Sequence, residues 1–351
     1  MSSDKFDSVI IGGGHNALAA AVHLAACGQS VCLVERSQKV GGAVATEEVT
    51  LPGFRHDLFA MNLSLFAGSP FAAAYGEKLA AHGLAYVPAH DCFASAFPDG
   101  RWLGISNSLE ENAARIAAFD EADAARWRAM TAEFGRDAEH YFAILGTPMR
   151  PTPLARLALK ILRARGVGFA REAMRLLLAS PRDFLDANFA SPHLKATLAP
   201  WAMHLDFPPD AAGGALFPYL ESMADQAFGM VIGKGGADTV TRALVSKIEA
   251  SGGAVHCGSQ VTRVVREGGK ATGIELADGS RIKANKAVIA NVAPSGLMSL
   301  IEGQSGDAGF DRKMTGFVHA PGTMMIHLAL DGLPDWTASD ELKSFAYVHI
   351  A

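Results

Sequence analysis

The 351-residue chain has few cysteines, little charge and no long apolar run. Its four cysteines, Cys27, Cys32, Cys92 and Cys257, are scattered, and none forms a C-x-x-C pair. That argues against a disulfide scaffold, a zinc ribbon or a dithiol redox centre, and it points to a reducing, intracellular setting. All four are expected to be buried small apolar side chains. No apolar stretch reaches about 18 residues, so no transmembrane helix is expected. The first residues lack a basic n-region before an adequate apolar core and do not read as a signal peptide. Neither H-E-x-x-H nor G-x-S-x-G occurs, which leaves a zinc or serine hydrolase without support, and no metal site is expected. Charged residues make up only 19% against 49% hydrophobic, so a disordered chain is excluded. The net charge of −5 speaks against a nucleic-acid partner. At about 150 residues per domain, the length suits one large domain or two intertwined ones.

What is present starts near the N-terminus. Asp7 to Ile11 is a short apolar run that reads as a buried parallel strand. Gly12-Gly13-Gly14-His15-Asn16-Ala17 follows, then an Ala/Leu-rich helix to Cys27, stopped by Gly28. Ser30 to Val34 is a second strand with Glu35 at its end. Gly12 allows the tight turn. Gly14 removes a side chain where a pyrophosphate approaches the backbone, and Ala17 permits close helix-on-strand packing. The helix N-terminus, at His15 and Asn16, offers free N–H groups to phosphate. Glu35 lies 21 residues after Gly14, close to the ~20 expected for a carboxylate on a ribose hydroxyl. A carboxylate there repels a 2′-phosphate, which excludes NADP. Strand, glycine turn, helix, strand and acid together make a dinucleotide-binding fingerprint.

Glu35-Arg36 is followed by Gly41-Gly42-Ala43, then Thr46-Glu47-Glu48 and Pro52-Gly53-Phe54-Arg55-His56-Asp57. This series resembles the second fingerprint of the flavin amine oxidase and phytoene desaturase superfamily. Within it, the match is to the desaturase-like branch that includes pyridine nucleotide-disulfide oxidoreductase domain-containing protein 2. The resemblance implies an α/β fold: a Rossmann-like FAD-binding domain with an inserted α+β substrate domain, in the two-domain arrangement of p-hydroxybenzoate hydroxylase and amine oxidases. It implies non-covalent FAD held by Gly12, Gly14, His15, Asn16, Ala17, Glu35, Arg36, Gly41, Gly42 and Ala43, with Val261 at the adenine and Asn291 near the pyrophosphate. It also implies a glycine pair within Gly233 to Gly236 close to the flavin. Because the family carries a further C-terminal segment over the flavin, the chain reads as C-terminally truncated.

The middle holds a β-hairpin around Pro98-Asp99-Gly100, a capping box at Ser108 and Glu111, and a helix over Asp123 to Phe142. Residues 150–182 carry eight basic residues and one acid, Glu172. Arg156, Lys160 and Arg163 share one helical face, and Leu154, Leu157 and Ile161 another. Such a helix can lie on an anionic membrane. A solvated face on an ordinary helical subdomain is the alternative, favoured by the break at Gly166–Gly168. Trp201, His204, Phe207, Phe217, Tyr219 and Met223 either wall a substrate cavity or form plain core. Further on, a helix over Ala237 to Ser251 precedes strands at Ala254–His256, Gln260–Val265, Thr272–Leu276, Ser280–Ile282 and Ala287–Ala290. Thr323–Ala329 and Ser344–Ile350 are also expected to be strands.

The expected domains are 1–75 and 229–298 for FAD, and 76–228 with 299–351 for substrate. The expected function is FAD-dependent, phytoene desaturase-like removal of hydride from an apolar or amine-bearing small molecule. The alternatives are a flavin amine oxidase and a GDP-dissociation-inhibitor-like carrier of a lipidated partner. No residue is assigned as catalytic. The expected setting is cytoplasmic, with peripheral membrane contact through 150–182.

Overall fold

A computed structural model describes residues 5–320 and 322–351. Two compact units emerge, Met1–Val87 with Val231–Leu330, and Pro88–Met230 with Asp331–Ala351. In chain order the first unit holds β1 (Lys5–Ile11), α1 (His15–Ala26), β2 (Val31–Val34), β3 (Thr46–Glu47), β4 (His56–Asp57), α2 (Ser64–Ala67) and α3 (Pro70–Ala80), with β5 (Tyr86–Ala89) at its boundary. The second unit holds β6 (Asp91–Ala96), β7 (Trp102–Ser106), α4 (Leu109–Ala117), α5 (Glu121–Gly146), α6 (Pro151–Leu178), α7 (Pro181–Asn188), α8 (Pro192–Leu198), α9 (Pro200–Met203) and α10 (Leu216–Phe228). The first unit resumes through β8 (Met230–Gly233), α11 (Thr239–Ala250), β9 (Ala254–His256), β10 (Val261–Glu267), β11 (Lys270–Leu276), β12 (Arg281–Ala290), α12 (Pro294–Leu300) and α13 (Ala308–Thr315). A short 3-10 turn (Asp340–Ser344) and β13 (Tyr347–Ile350) complete the second unit.

The first unit is built on one sheet in the order β10-β11-β12-β1-β2-β9. β12, β1, β2 and β9 run parallel, while β10, β11 and β12 form an antiparallel meander. A central parallel strand is covered on both faces, so β1 ends in a continuous apolar run, Val9–Ile11, instead of an alternating one. Ile10, Val31 and Leu33 pack with α1 and α11, through Leu18, Ala21, Val240 and Leu244. Val9, Ile11 and Val34 pack on the other face with Val264, Ile274 and Ile282. α1 ends as expected, with Gly28 at φ 79 just past its C-cap.

The second unit pairs a sheet of order β13-β6-β7 with helices. β6 and β7 are the expected hairpin, and β13 adds in parallel with Tyr347 opposite Phe93. Trp201, Tyr219 and Met223 belong to a core with Trp127, Phe134 and Leu194, so they act as packing residues, and His204 is exposed. One buried network spans this core. Asn112 accepts from the Ser106 N–H at 2.8 Å and donates to the Ser106 carbonyl and to Gln226 Oε1, which also accepts from Trp127 Nε1.

Several expectations need correction. Ser280–Ile282 and Ala287–Ala290 are one strand, β12, because its start pairs with β11 and its remainder with β1. Thr323–Ala329 is not a strand: it pairs with no sheet among the described residues, and Met324, Ile326 and Leu328 stay exposed. Ser108 caps α4 through the Glu111 N–H, but the Glu111 carboxylate turns to Ser106 Oγ and Arg115, so the box is half formed. Cys32 and Cys92 are buried, whereas Cys27 and Cys257 lie exposed in the turns after α1 and β9. The unit boundaries fall at 87/88, 230/231 and 330/331 instead of 75/76, 228/229 and 298/299. Leu79 and Leu84 join the α1–α11 core, and Leu300 and Ile301 pack with Val264 and Ile282, which holds both segments in the first unit.

Asn112→Ala should destabilise the second unit by about 2–3 kcal/mol, since it strands the Ser106 N–H and carbonyl and removes one of the two donors to Gln226 Oε1. Urea unfolding followed by tryptophan fluorescence checks this, and an unchanged midpoint would remove the network from the stability argument.

Candidate functional site

The glycine turn after β1 is held by its backbone. The Gly12 N–H donates to the Val34 carbonyl at 2.8 Å, which keeps the turn level with the end of β2. The Gly13 N–H donates to Glu35 Oε2 at 2.6 Å, and the Gly13 carbonyl accepts from the Gly41 N–H at 2.8 Å. Both glycine motifs and the acid therefore meet at one residue. Gly12 has φ 93, and a Cβ there would lie 2.5 Å from the Asn291 carbonyl oxygen. Gly14 has an ordinary φ of −67, so its lack of a side chain serves space, not conformation. Gly41 and Gly42 have φ 139 and 60, and a Cβ on Gly42 would sit 3.2 Å from the Gly14 Cα. The two turns pack backbone on backbone.

These turns open a cleft of about 1160 Å³ within the first unit. Gly12, Gly14, His15, Asn16, Glu35, Arg36, Gly42, Ala43, Val261 and Asn291 all line it. Ala17 and Gly41 stand behind the lining. Ala17 is buried where α1 meets the sheet, and Gly41 bonds to Gly13. Sequence reasoning missed Gly13, Lys39, Ser259 and Thr262, which also line the cleft. The triple glycine run was a signal for Gly13, since its N–H meets the acid 22 residues on. Ser259 arrives through register alone, its N–H bonded to the Glu35 carbonyl at 2.9 Å. Gly235 and Gly236 are not among the lining residues. Gly236 packs instead on the Thr46 side chain. Thr46 and Asp57 turn out to serve the start of α11: Thr46 Oγ1 accepts from the Asp238 N–H, and Asp57 Oδ1 from the Ala237 N–H.

The electrostatics suit a dinucleotide. Gly14 is the N-cap of α1 with no side-chain capping bond, and no acid sits in the first turn. The first N–H groups of a 12-residue helix thus face the cleft as an anion site. Burial lowers the His15 pKa, so the imidazole beside that positive helix end is neutral at pH 7. Glu35 Oε1 accepts from the Ser37 N–H at 2.8 Å, so each carboxylate oxygen already holds one backbone donor. The orientation is fixed, and a lone pair on each oxygen remains for vicinal hydroxyls.

Residues 18–344 match the family described as flavin containing amine oxidoreductase. The chain belongs to this family. It is 26% identical over 300 residues to a limonene dehydrogenase subunit of Castellaniella defragrans, covering 82% of this chain and 52% of that protein. It is 28% identical over 298 residues to hydroxyneurosporene desaturase of Cereibacter sphaeroides, covering 83% and 57%. It is 24% identical over 362 residues to pyridine nucleotide-disulfide oxidoreductase domain-containing protein 2 of Mus musculus, covering 95% and 61%. The chain thus spans between half and two thirds of these relatives' length. An oxidoreductase structure from Methanosarcina mazei superposes with a TM-score of 0.57 at 19% identity, covering 89% of this chain and 65% of that one, and supports the two-domain Rossmann-like fold. FAD is the cofactor of the family, and the cleft fits it. The α1 N-terminus suits the pyrophosphate, Glu35 the adenosine ribose, and side chains on Gly12, Gly14 or Gly42 would intrude.

Gly14→Val should abolish FAD retention while the chain stays folded, because the new side chain meets only the flexible Asn291 amide and otherwise enters the cleft. Flavin absorbance after gel filtration checks it, and normal FAD content in a folded variant would displace the pyrophosphate from this turn.

Proposed function

We propose that the protein is an FAD-dependent dehydrogenase of the phytoene desaturase type, which removes hydride from a C–H bond of a lipophilic small molecule. One observation carries this reading: the backbone of Gly13 joins both glycine turns and Glu35 around a cleft suited to a dinucleotide. The relatives' names add the substrate class, since they speak of limonene and hydroxyneurosporene. Bound FAD supplies the redox chemistry. The chain's own part is to hold the adenosine ribose and the adjoining pyrophosphate of the cofactor. Glu35 takes the ribose hydroxyls, and the α1 N–H groups receive the pyrophosphate. A carrier of lipidated partners has no need of this constellation.

Glu35→Ala should weaken FAD roughly ten- to a hundredfold and FMN little, because FMN lacks the adenosine ribose. Fluorescence titration of both flavins decides it, and equal losses would count against the placement. A visible spectrum after FAD addition tests the reading as a whole. A folded chain that takes up no FAD would overturn it.

We further propose that the protein works from the cytoplasm against an anionic bilayer, through α6. Arg156, Lys160 and Arg163 are exposed beside the exposed Leu159 and Leu162, while Ile161 turns inward. Gly166 breaks the helix with φ 77, so the segment before it presents this face. The mixture of apolar and basic side chains supports interfacial binding. Flotation with phosphatidylglycerol vesicles should fall at least tenfold in an Arg156→Glu, Lys160→Glu, Arg163→Glu triple variant. Equal binding of the native chain to phosphatidylcholine vesicles would contradict the electrostatic part.

A further inference from the structure

The helical unit contains a second cavity, of about 970 Å³, among residues of α5, α6, α7 and α10. Several of its walls are aromatic. Tyr141 stands 5.2 Å from Tyr219 and 5.8 Å from Phe169 between ring centroids, and Phe184 packs on Tyr219 at 6.0 Å. Ring faces carry negative potential and attract cations. The charges around them tilt the same way. Arg126 bonds Glu133 at 3.0 Å and Arg175 lies 3.6 Å from Glu172. Asp183, by contrast, accepts from the Ser180 hydroxyl at 2.7 Å and joins no ion pair among the described residues.

The decisive group is Asp137. It lines the cavity with a side chain only 8% exposed. Its counter-charge is Arg165, whose Nη2 lies 2.7 Å from Oδ1. The approach is off the N–H direction, so Oδ1 is left without a hydrogen bond. A buried carboxylate oxygen in that state is costly, and a better aligned donor would relieve it. Arg165 also marks where a cation goes. Its guanidinium carbon stands 5.5 Å from the centre of the Phe169 ring, so one planar cation meets both the acid and a ring face. Arg165 has a way out. Its side chain is 31% exposed, and the next residue is Gly166, where α6 breaks and a Cβ would meet nothing within 4 Å. The guanidinium can turn to solvent there and leave Asp137 to another donor.

We infer that this cavity is a binding site for a planar organic cation, an amidinium or guanidinium on an apolar body, which Asp137 and Phe169 recognise and whose place Arg165 takes when no ligand is bound. The inference is independent of the flavin reading, because every group it uses lies in the helical unit. A tethered guanidinium competes with a free cation at high effective concentration, so Arg165 sets the affinity threshold of the site.

Benzamidine and benzamide share a skeleton and a planar head and differ in charge. They serve as probes in calorimetric titration of the whole chain, with benzoate as the opposite charge. Benzamidine should bind saturably, and benzamide and benzoate at least tenfold more weakly. Arg165→Gln should tighten benzamidine at least tenfold, because the internal competitor is gone. In the double variant Asp137→Asn, Arg165→Gln, which sets two neutral amides side by side, benzamidine should fall to the benzamide level. Circular dichroism verifies folding, and where a variant does not fold, the preference of the native chain among the three probes decides. The inference fails if benzamidine does not saturate on the native chain, or if benzamide or benzoate binds as tightly. It fails equally if a folded Arg165→Gln chain binds benzamidine no tighter than the native one, or if a folded double variant keeps the native affinity.

Discussion

The backbone of Gly13 is the constraint on which the first unit turns. Its N–H fixes the Glu35 carboxylate and its carbonyl fixes Gly41, so one residue joins the end of β1, the end of β2 and the second glycine motif. A charge-assisted bond of 2.6 Å in a partly buried place is among the stronger hydrogen bonds a protein makes. Its strength holds only if the backbone comes close, and a Cβ on Gly13 would fall 3.0 Å from the Glu35 Cβ and 2.8 Å from Val40. Glycine at this position is thus a condition for the acid to point into the cleft at all.

That residue could not be positioned without the sheet. β1 lies between β2 and β12, and each neighbour delivers part of the site at its C-terminal end: Glu35 after β2, Asn291 after β12. Parallel pairing brings these ends level, which is why a ligand crevice forms outside the carboxyl ends of such strands. Asn291 donates its N–H to the Ile11 carbonyl at 2.8 Å, so the third wall of the cleft is an extension of the ladder. Val261 and Ser259 enter the same cleft through a different device, the loop from β9 into the meander, where Ser259 bonds the backbone of Glu35.

The legible part of the molecule is the part where local chemistry and tertiary role coincide. The β1–α1–β2 run was readable because a buried parallel strand, a glycine turn and an N-terminal anion site each leave a mark within a few residues. The Asp278-Gly279 hairpin and the Pro98-Asp99-Gly100 hairpin were readable for the same reason. What the sequence could not show depends on partners far along the chain. Residues 280–290 look like two strands because Lys283 to Lys286 interrupts the apolar pattern, yet β12 runs straight through by changing partners from β11 to β1. Thr323–Ala329 has strand character but no edge to pair with among the described residues, and β propensity without a partner forms no strand. The Tyr141–Tyr219 ring contact in the core of the second unit joins residues 78 positions apart, which no spacing rule connects.

The site also explains where the first unit must place its stability. Gly12, Gly41 and Gly42 hold positive φ and lose more conformational freedom on folding than any other residue would. Gly13 and Gly14 bury no side chain of their own. A five-glycine cleft is therefore a net cost of several kcal/mol, on the order of 1 kcal/mol per position. The offset lies in the strands on either side: Val9, Ile10, Val31 and Leu33 are completely buried on the two faces of the sheet, each contributing about 1.5–3 kcal/mol. The residues of β1 and β2 that lead up to the turn and the acid are apolar, and the acid at the end of β2 is tolerated because two backbone N–H groups receive it.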